Sequence, residues 1–137
     1  MIQLIFHGIG DYFLQTDWQA LNKKKKGKSG FWACFTHCLT YSLPFLFIGS
    51  WKAVLVIFAS HFLLDRTNLV AYLLAIKNNV KKVDSPEIKK WWLLPYKYDI
   101  SNFGFGLERP FAITIWLYII TDNLLHIICN FLALKYL

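Results

Sequence analysis

Long apolar stretches alternate with short polar ones, and four apolar segments stand out along the 137 residues. The first runs from Ile2 to Trp18 and is interrupted by Gly8, Gly10 and Asp11. The second runs from Gly30 to Ile48, the third from Trp51 to Ile76 and the fourth from Pro110 to Leu137. Segments two to four approach the roughly 20 residues that a helix needs to cross a bilayer. The first is expected to span with tilt, or to enter part-way under the shelter of the others. Pro44 should kink the second segment because it removes a backbone donor. Gly49 and Ser50 turn the chain into the third, and Pro110 suits the first turn of the fourth. The pattern predicts one all-α domain over residues 1–137, a polytopic membrane four-helix bundle.

The loop from Asn78 to Arg109 has a pattern of its own. Ser85 suits an N-cap, Pro86 the first helical position and Glu87 the first turn. A short helix through Ile88, Trp91 and Trp92, ending before Pro95, is expected to lie on the membrane surface as an anchor.

Composition strengthens the membrane expectation. The apolar fraction is 56%, the charged fraction 17% and the mean hydropathy +0.39, against about 25% charged residues in a soluble domain. The net charge of +7 is concentrated. Lys23, Lys24, Lys25, Lys26 and Lys28 fill the first loop, and most other basic residues fall between Lys77 and Arg109. Each run abuts an apolar segment, so cytoplasmic flanks of membrane helices are expected rather than a nucleic-acid surface. In an up-down bundle both loops share a side. That places them in the cytoplasm and both termini outward, in a bacterial inner membrane. Trp18, Trp32 and Trp51 fall at segment ends, as an aromatic belt requires. Cys34, Cys38 and Cys129 make an odd count inside apolar segments, which argues against a disulfide framework. Cys34 and Cys38 flank His37, so packing and thiolate ligation are both open to them. The N-terminus lacks the basic region and cleavage site of a signal peptide.

Candidate chemistry comes from the polar residues inside the apolar segments. His7 precedes Asp11 by four residues, His61 precedes Asp65 by four, and Asp122 precedes His126 by four; His37 is the remaining histidine. Spacing of i, i+4 puts both members of a pair on one helical face. Imidazole and carboxylate are the ligands of zinc, manganese and iron sites. Counted at about 1.5 Å per residue from the cytoplasmic end of each segment, the seven residues lie roughly 11 to 24 Å deep. That is a common middle layer of a core about 30 Å thick. Asp17, Asp84, Glu87, Asp99 and Glu108 fall in loops or at segment ends, which leaves only Asp11, Asp65 and Asp122 at depth. A carboxylate there needs a cation or a proton. The basic residue nearest them within the apolar segments is Arg66, and one arginine cannot neutralise three aspartates. A metal centre of one or two divalent ions is the leading expectation. A proton or ion path and structural polar packing remain the alternatives.

Three stretches, HGIGDYFLQTDW, SHFLLDRTNLV and TDNLLH, resemble an uncharacterised family of small bacterial and phage membrane proteins, the domain of unknown function numbered 3307. The family's pattern is H-x-x-x-D-x-x-x-Q-T-D, a central His, H-F-x-x-D-R and D-[QN]-x-x-H, with Asn123 here standing at the variable position. More distantly, the paired H-x-x-x-D helices are similar to LexA-regulated membrane-bound metal-dependent hydrolases. They are also similar to the group of zinc-dependent phospholipase C and the single-strand nucleases. That similarity implies hydrolysis of a phosphate ester at a zinc site. The expectation is therefore a metal-dependent hydrolase whose ligands are His7, Asp11, His37, His61, Asp65, Asp122 and His126. Zinc is the first choice of metal, with manganese or iron as alternatives. A metal-activated water is the expected nucleophile, Asp65 is expected to act at the reacting centre, and Arg66 to steady the phosphate. The partners are the bilayer and a phosphate-containing substrate; an oligomer would be needed for the transport alternative, and no nucleic acid is expected.

Overall fold

The computed structural model describes residues 1–82 and 97–137. The surface helix expected from Ser85 to Trp92 lies outside the described residues. Apart from an isolated antiparallel bridge between Lys81 and Tyr98, the regular structure among the described residues is helical.

Helix α1 (Ile2–Gly8) runs directly into a turn of π-helix over Ile9–Phe13, closed by the Leu14 N–H donating to the Ile9 carbonyl at 2.8 Å. A π turn adds a residue to the helical register, and such turns recur at functional sites. Gly8 and Gly10 lower the helical propensity here, which makes the deformation cheap. The chain then leaves the helix at Thr16, where a capping box starts α2 (Asp17–Asn22). The Thr16 hydroxyl accepts from the Gln19 N–H at 3.3 Å, and the Gln19 side chain accepts from the Thr16 N–H at 2.9 Å. The first apolar segment is thus two short helices joined through a π turn, not one span.

Helix α3 (Lys28–Ser42) gives way to a 3₁₀ turn over Leu43–Phe47. Pro44 lies in its first turn and cannot supply an α-helical donor, so the expected kink takes the form of a change of helix type. Ser50 caps α4 (Trp51–Arg66), its hydroxyl accepting from the Ala53 N–H at 3.2 Å. Thr67 adopts an extended conformation (φ −113°, ψ 171°) and ends α4. The third segment accordingly divides into α4 and α5 (Leu69–Lys77). The fourth forms the continuous α6 (Phe111–Tyr136), close to the expected bounds.

Two compact units emerge, one comprising Met1–Thr67 with Asn123–Leu137 and the other Asn68–Asp122. In the first, Tyr41, Phe45, Ala53, Ile57 and Ala133 form an apolar core supported by Phe6, Ile48, Val54 and Leu134. In the second, Asn102 ties the loop before α6 together. Its amide donates to the carbonyls of Gly106 (2.9 Å) and Arg109 (3.3 Å), and its side-chain oxygen accepts from Thr114 (2.9 Å). In the same loop the Asp99 carboxylate accepts from the Ser101 N–H at 2.8 Å, which holds its pKa below the usual carboxylate range.

Among the described residues one helix, the 26-residue α6, is long and apolar enough by itself to cross a membrane. At about 1.5 Å per residue it reaches about 39 Å, beyond the approximately 30 Å hydrocarbon core. Helices α4 and α5 pass the same test only when counted together as one broken span. Among the described residues, one long spanning helix and one broken pair stand where four spanning segments are expected. The π turn, the Thr16 cap, Pro44 and Thr67 each interrupt a stretch that hydropathy alone reads as continuous.

Candidate metal centre

The first unit buries polar residues and exposes apolar ones. His7, His37, His61, Asp65, His126 and Asn130 are buried, whereas Ile5, Phe13, Phe47, Leu55, Leu63 and Ile128 face outward. Water-soluble domains place these classes the other way round. Buried ionisable groups are costly unless paired or bound to a cation, so their arrangement is informative.

Three elements converge. The π turn supplies Asp11, α3 supplies His37, and α4 supplies both His61 and Asp65 from successive turns. The Nε2 atoms of His37 and His61 stand 3.1 Å apart. Oδ1 of Asp11 lies 3.3 Å from each of them. Oδ2 of Asp65 lies 3.2 Å from His37 Nε2 and 3.3 Å from His61 Nε2. Ligands about 2.0–2.2 Å from one ion are separated by about 3.3 Å in a tetrahedron and about 3.0 Å between neighbouring positions of an octahedron. These five separations match that range; Asp11, His37 and His61 offer ligand atoms all within 4.8 Å of one another, whereas Asp11 and Asp65 share no such set among the described residues. Oδ1 of Asp11 is also buried without a hydrogen-bond partner of sound geometry. Direct hydrogen bonding therefore leaves this carboxylate oxygen unsatisfied, and a cation held together with the imidazoles of His37 and His61 would satisfy it.

The surrounding groups fix the cluster. The ring of Tyr41 stacks on His61 with centroids 3.7 Å apart, and His126 stacks on His61 at 4.0 Å. A Cβ on Gly10 would collide with the Tyr41 ring, so glycine is what lets the π turn approach α3. Gly8 has open space around it and is not needed for this contact. The Tyr41 hydroxyl receives a hydrogen bond from Asn130 at 2.6 Å and donates to Nδ1 of His7 at 2.8 Å. The other nitrogen of His7 donates to Oδ1 of Asn123 at 2.8 Å, and that oxygen also accepts from Tyr12 at 3.0 Å.

The expected ligands thus divide. Asp11, His37, His61 and Asp65 come together. His7 belongs beside them: its Nδ1 lies 3.3 Å from Oδ2 of Asp11, but both its nitrogens are engaged by Tyr41 and Asn123. It packs against Asp11 in this arrangement. His126 faces the outer oxygen of Asp65 at 3.7 Å. Asp122, one turn before His126 on α6, is the last residue of the second unit. Cys38, His61 and Asp65 form a further set of potential ligand atoms within 4.8 Å of one another. All three cysteines are free thiols, with Sγ of Cys34 and Cys38 3.8 Å apart.

Two findings concern the basic residues. Arg66 does not neutralise Asp65; its guanidinium donates to the Lys23 carbonyl at 3.2 Å. The cation on Asp65 is Lys23, whose Nζ lies 2.8 Å from Oδ2. Reading the lysine run only as a membrane flank misses this role. The signal that marks it is Thr16-Asp17-Trp18-Gln19, a capping-box sequence. It starts α2 and places Lys23 at that helix's C-terminal end, and Gln19 then anchors α2 to Thr36 of α3 through a 3.2 Å hydrogen bond. Tyr41 is the other residue missed, four positions after His37 and therefore on the same face of α3.

The motifs behind these contacts extend along the whole chain. A family model described as Protein of unknown function (DUF3307) matches residues 1–136. The chain belongs to that family. No curated protein and no solved structure matches it. The family description assigns no chemistry, so the chemistry rests on the residues themselves.

Proposed function

We propose that the protein is a membrane-embedded, metal-dependent hydrolase of a phosphate ester, with a divalent ion held by Asp11, His37, His61 and Asp65. The observation that carries this reading is the set of 3.1–3.3 Å separations that link the Asp11 and Asp65 carboxylates to the paired imidazole nitrogens of His37 and His61. Two imidazoles and two carboxylates suit zinc first, and manganese or iron next. In five- or six-coordination such an ion keeps positions for water and a substrate oxygen. When bound, it would supply Lewis-acid polarisation and an activated water. The chain's own residues orient that chemistry: Tyr41 and His126 clamp His61 between them.

A multi-pass arrangement in a bacterial inner membrane, with both basic loops cytoplasmic, accompanies this proposal. It is supported by the buried polar cluster, the outward apolar side chains, and the exposed Trp18, Trp32 and Trp51. Reporter fusions at Lys25 and Pro86 should both give cytoplasmic signals; a periplasmic signal from either overturns the topology.

Proton conduction through the same residues is less well supported. The contacts leading from Asp11 through His7 to Tyr12 pass over Asn123, whose side-chain oxygen accepts from both neighbours. An amide oxygen with donors on both sides does not relay a proton. The test of the hydrolase reading is turnover of chromogenic phosphate mono- and diesters by detergent-purified, zinc- or manganese-loaded protein. Asp65→Ala should abolish any turnover. Metal bound without turnover of either ester would reduce the centre to a structural staple.

A further inference from the structure

The metal-centre reading leaves one charged residue without a task. Lys23 holds Oδ2 of Asp65 at 2.8 Å, and the same oxygen faces the Nε2 atoms of His37 and His61 at 3.2 and 3.3 Å. Its ammonium group and a divalent ion would therefore share a single carboxylate oxygen. Two cations so close repel strongly in a partly desolvated site, and the arrangement becomes favourable when an anion bridges them. A phosphate oxygen does this: it binds the ion, while a neighbouring oxygen of the same group takes the ammonium.

The local structure suits that exchange. The backbone of Lys23 is fixed because Arg66 holds its carbonyl at 3.2 Å. The loop is packed so closely that a Cβ on Gly30 would collide with the Lys25 carbonyl. The Lys23 side chain is 17% exposed, whereas the side chain of Asp65 is 2% exposed. A fixed backbone with a side chain open to one side can pivot without disturbing the helices. Lys24, Lys25, Lys26 and Lys28 follow in sequence, so an anion meets positive charge as it approaches.

We propose that Lys23 is the anion-recognition residue of this centre. It pairs with Asp65 when no ion is bound and takes a phosphate oxygen of the ligand when one is. The ligand class is a phosphate ester or phosphate ion, whether carried on a lipid headgroup or free in solution. This inference rests on the metal-centre reading, so ion content is measured first and separately.

The experiment uses full-length protein in phosphatidylcholine nanodiscs, loaded with zinc or manganese. It is titrated calorimetrically with inorganic phosphate and, in a second arm, with short-chain phosphatidic acid. Lys23→Met should retain the ion, bound as tightly as in wild type or tighter, and lose phosphate affinity about tenfold or more. Lys25→Met should bind both as wild type does. A strong preference for phosphatidic acid assigns the lipid source, and equal affinity assigns free phosphate; both support recognition of phosphate. Melting of each variant is followed, and Lys23→Gln, which keeps a hydrogen-bond donor, serves where Lys23→Met does not fold. Undiminished phosphate binding by the Lys23 variant would overturn the inference, as would ion-loaded wild type that binds no phosphate. Loss of the ion from a folded Lys23 variant would also overturn it, since Lys23 would then be a strut for Asp65. Wild type that takes up no ion is a different failure, and it removes the metal-centre reading itself.

Discussion

His61–Asp65 and His7–Asp11 have the same sequence spacing and opposite fates. In α4, a regular helix, both members face the centre, and their ligand atoms are 3.3 Å apart. In the first segment only Asp11 does so, because the chain passes into a π turn between Gly8 and Phe13. His7 instead meets Tyr41 and Asn123. Spacing identifies residues that share a face. What each does depends on which neighbours claim its polar atoms first.

The largest effect should come from α4. His61→Ala or Asp65→Ala removes a ligand of the centre itself, and metal binding should fall by more than the roughly 10–100-fold typical of losing an outer partner. Equilibrium dialysis against zinc or manganese reads this directly. His7→Gln should cost less, about 10–100-fold in affinity with stoichiometry retained, because it removes a neighbour that links Tyr41 and Asn123 beside the centre rather than a ligand. If His7→Gln and His61→Ala were equally damaging, the distinction between the two pairs would collapse.

Glycine in the π turn offers a second contrast. Gly10→Ala drives a methyl group into the Tyr41 ring and should destabilise the protein by about 1–3 kcal/mol, as overpacking does. It should also weaken metal binding by shifting Asp11. Gly8→Ala meets open space and should be neutral or stabilising by up to about 1 kcal/mol, through helix propensity. Thermal melting in detergent distinguishes the two. Of the destabilising changes, Thr16→Ala should cost least, about 1 kcal/mol from loss of the cap. A modest loss of metal affinity should accompany it, because α2 positions Lys23.

The same contrast shows what was legible in the sequence. His37, His61, Asp11 and Asp65 were visible as polar residues that an apolar segment does not tolerate by accident. Helix α6 was visible from its length and its leading Pro110. The breaks at Thr16 and Thr67 were hidden because hydropathy averages over residues that side-chain capping and backbone conformation treat individually. Thr16 had a readable signal in the capping box, whereas the extended conformation of Thr67 is not announced by its neighbours. Lys23 was hidden for another reason. A lysine run is usually a solvated face, and only the return of α2 onto α3, through Gln19 and Thr36, carries its first member to Asp65.

The central claim is that the cluster of Asp11, His37, His61 and Asp65 binds a divalent metal ion. Elemental mass spectrometry of detergent-purified protein, after exposure to zinc, manganese and iron and removal of excess, tests it most directly. Wild type should retain about one equivalent of a transition metal, and His61→Ala should retain almost none. Less than about a tenth of an equivalent of any of these metals in folded wild type would contradict the account. The carboxylates and imidazoles would then form a hydrogen-bonded polar core organised around Lys23.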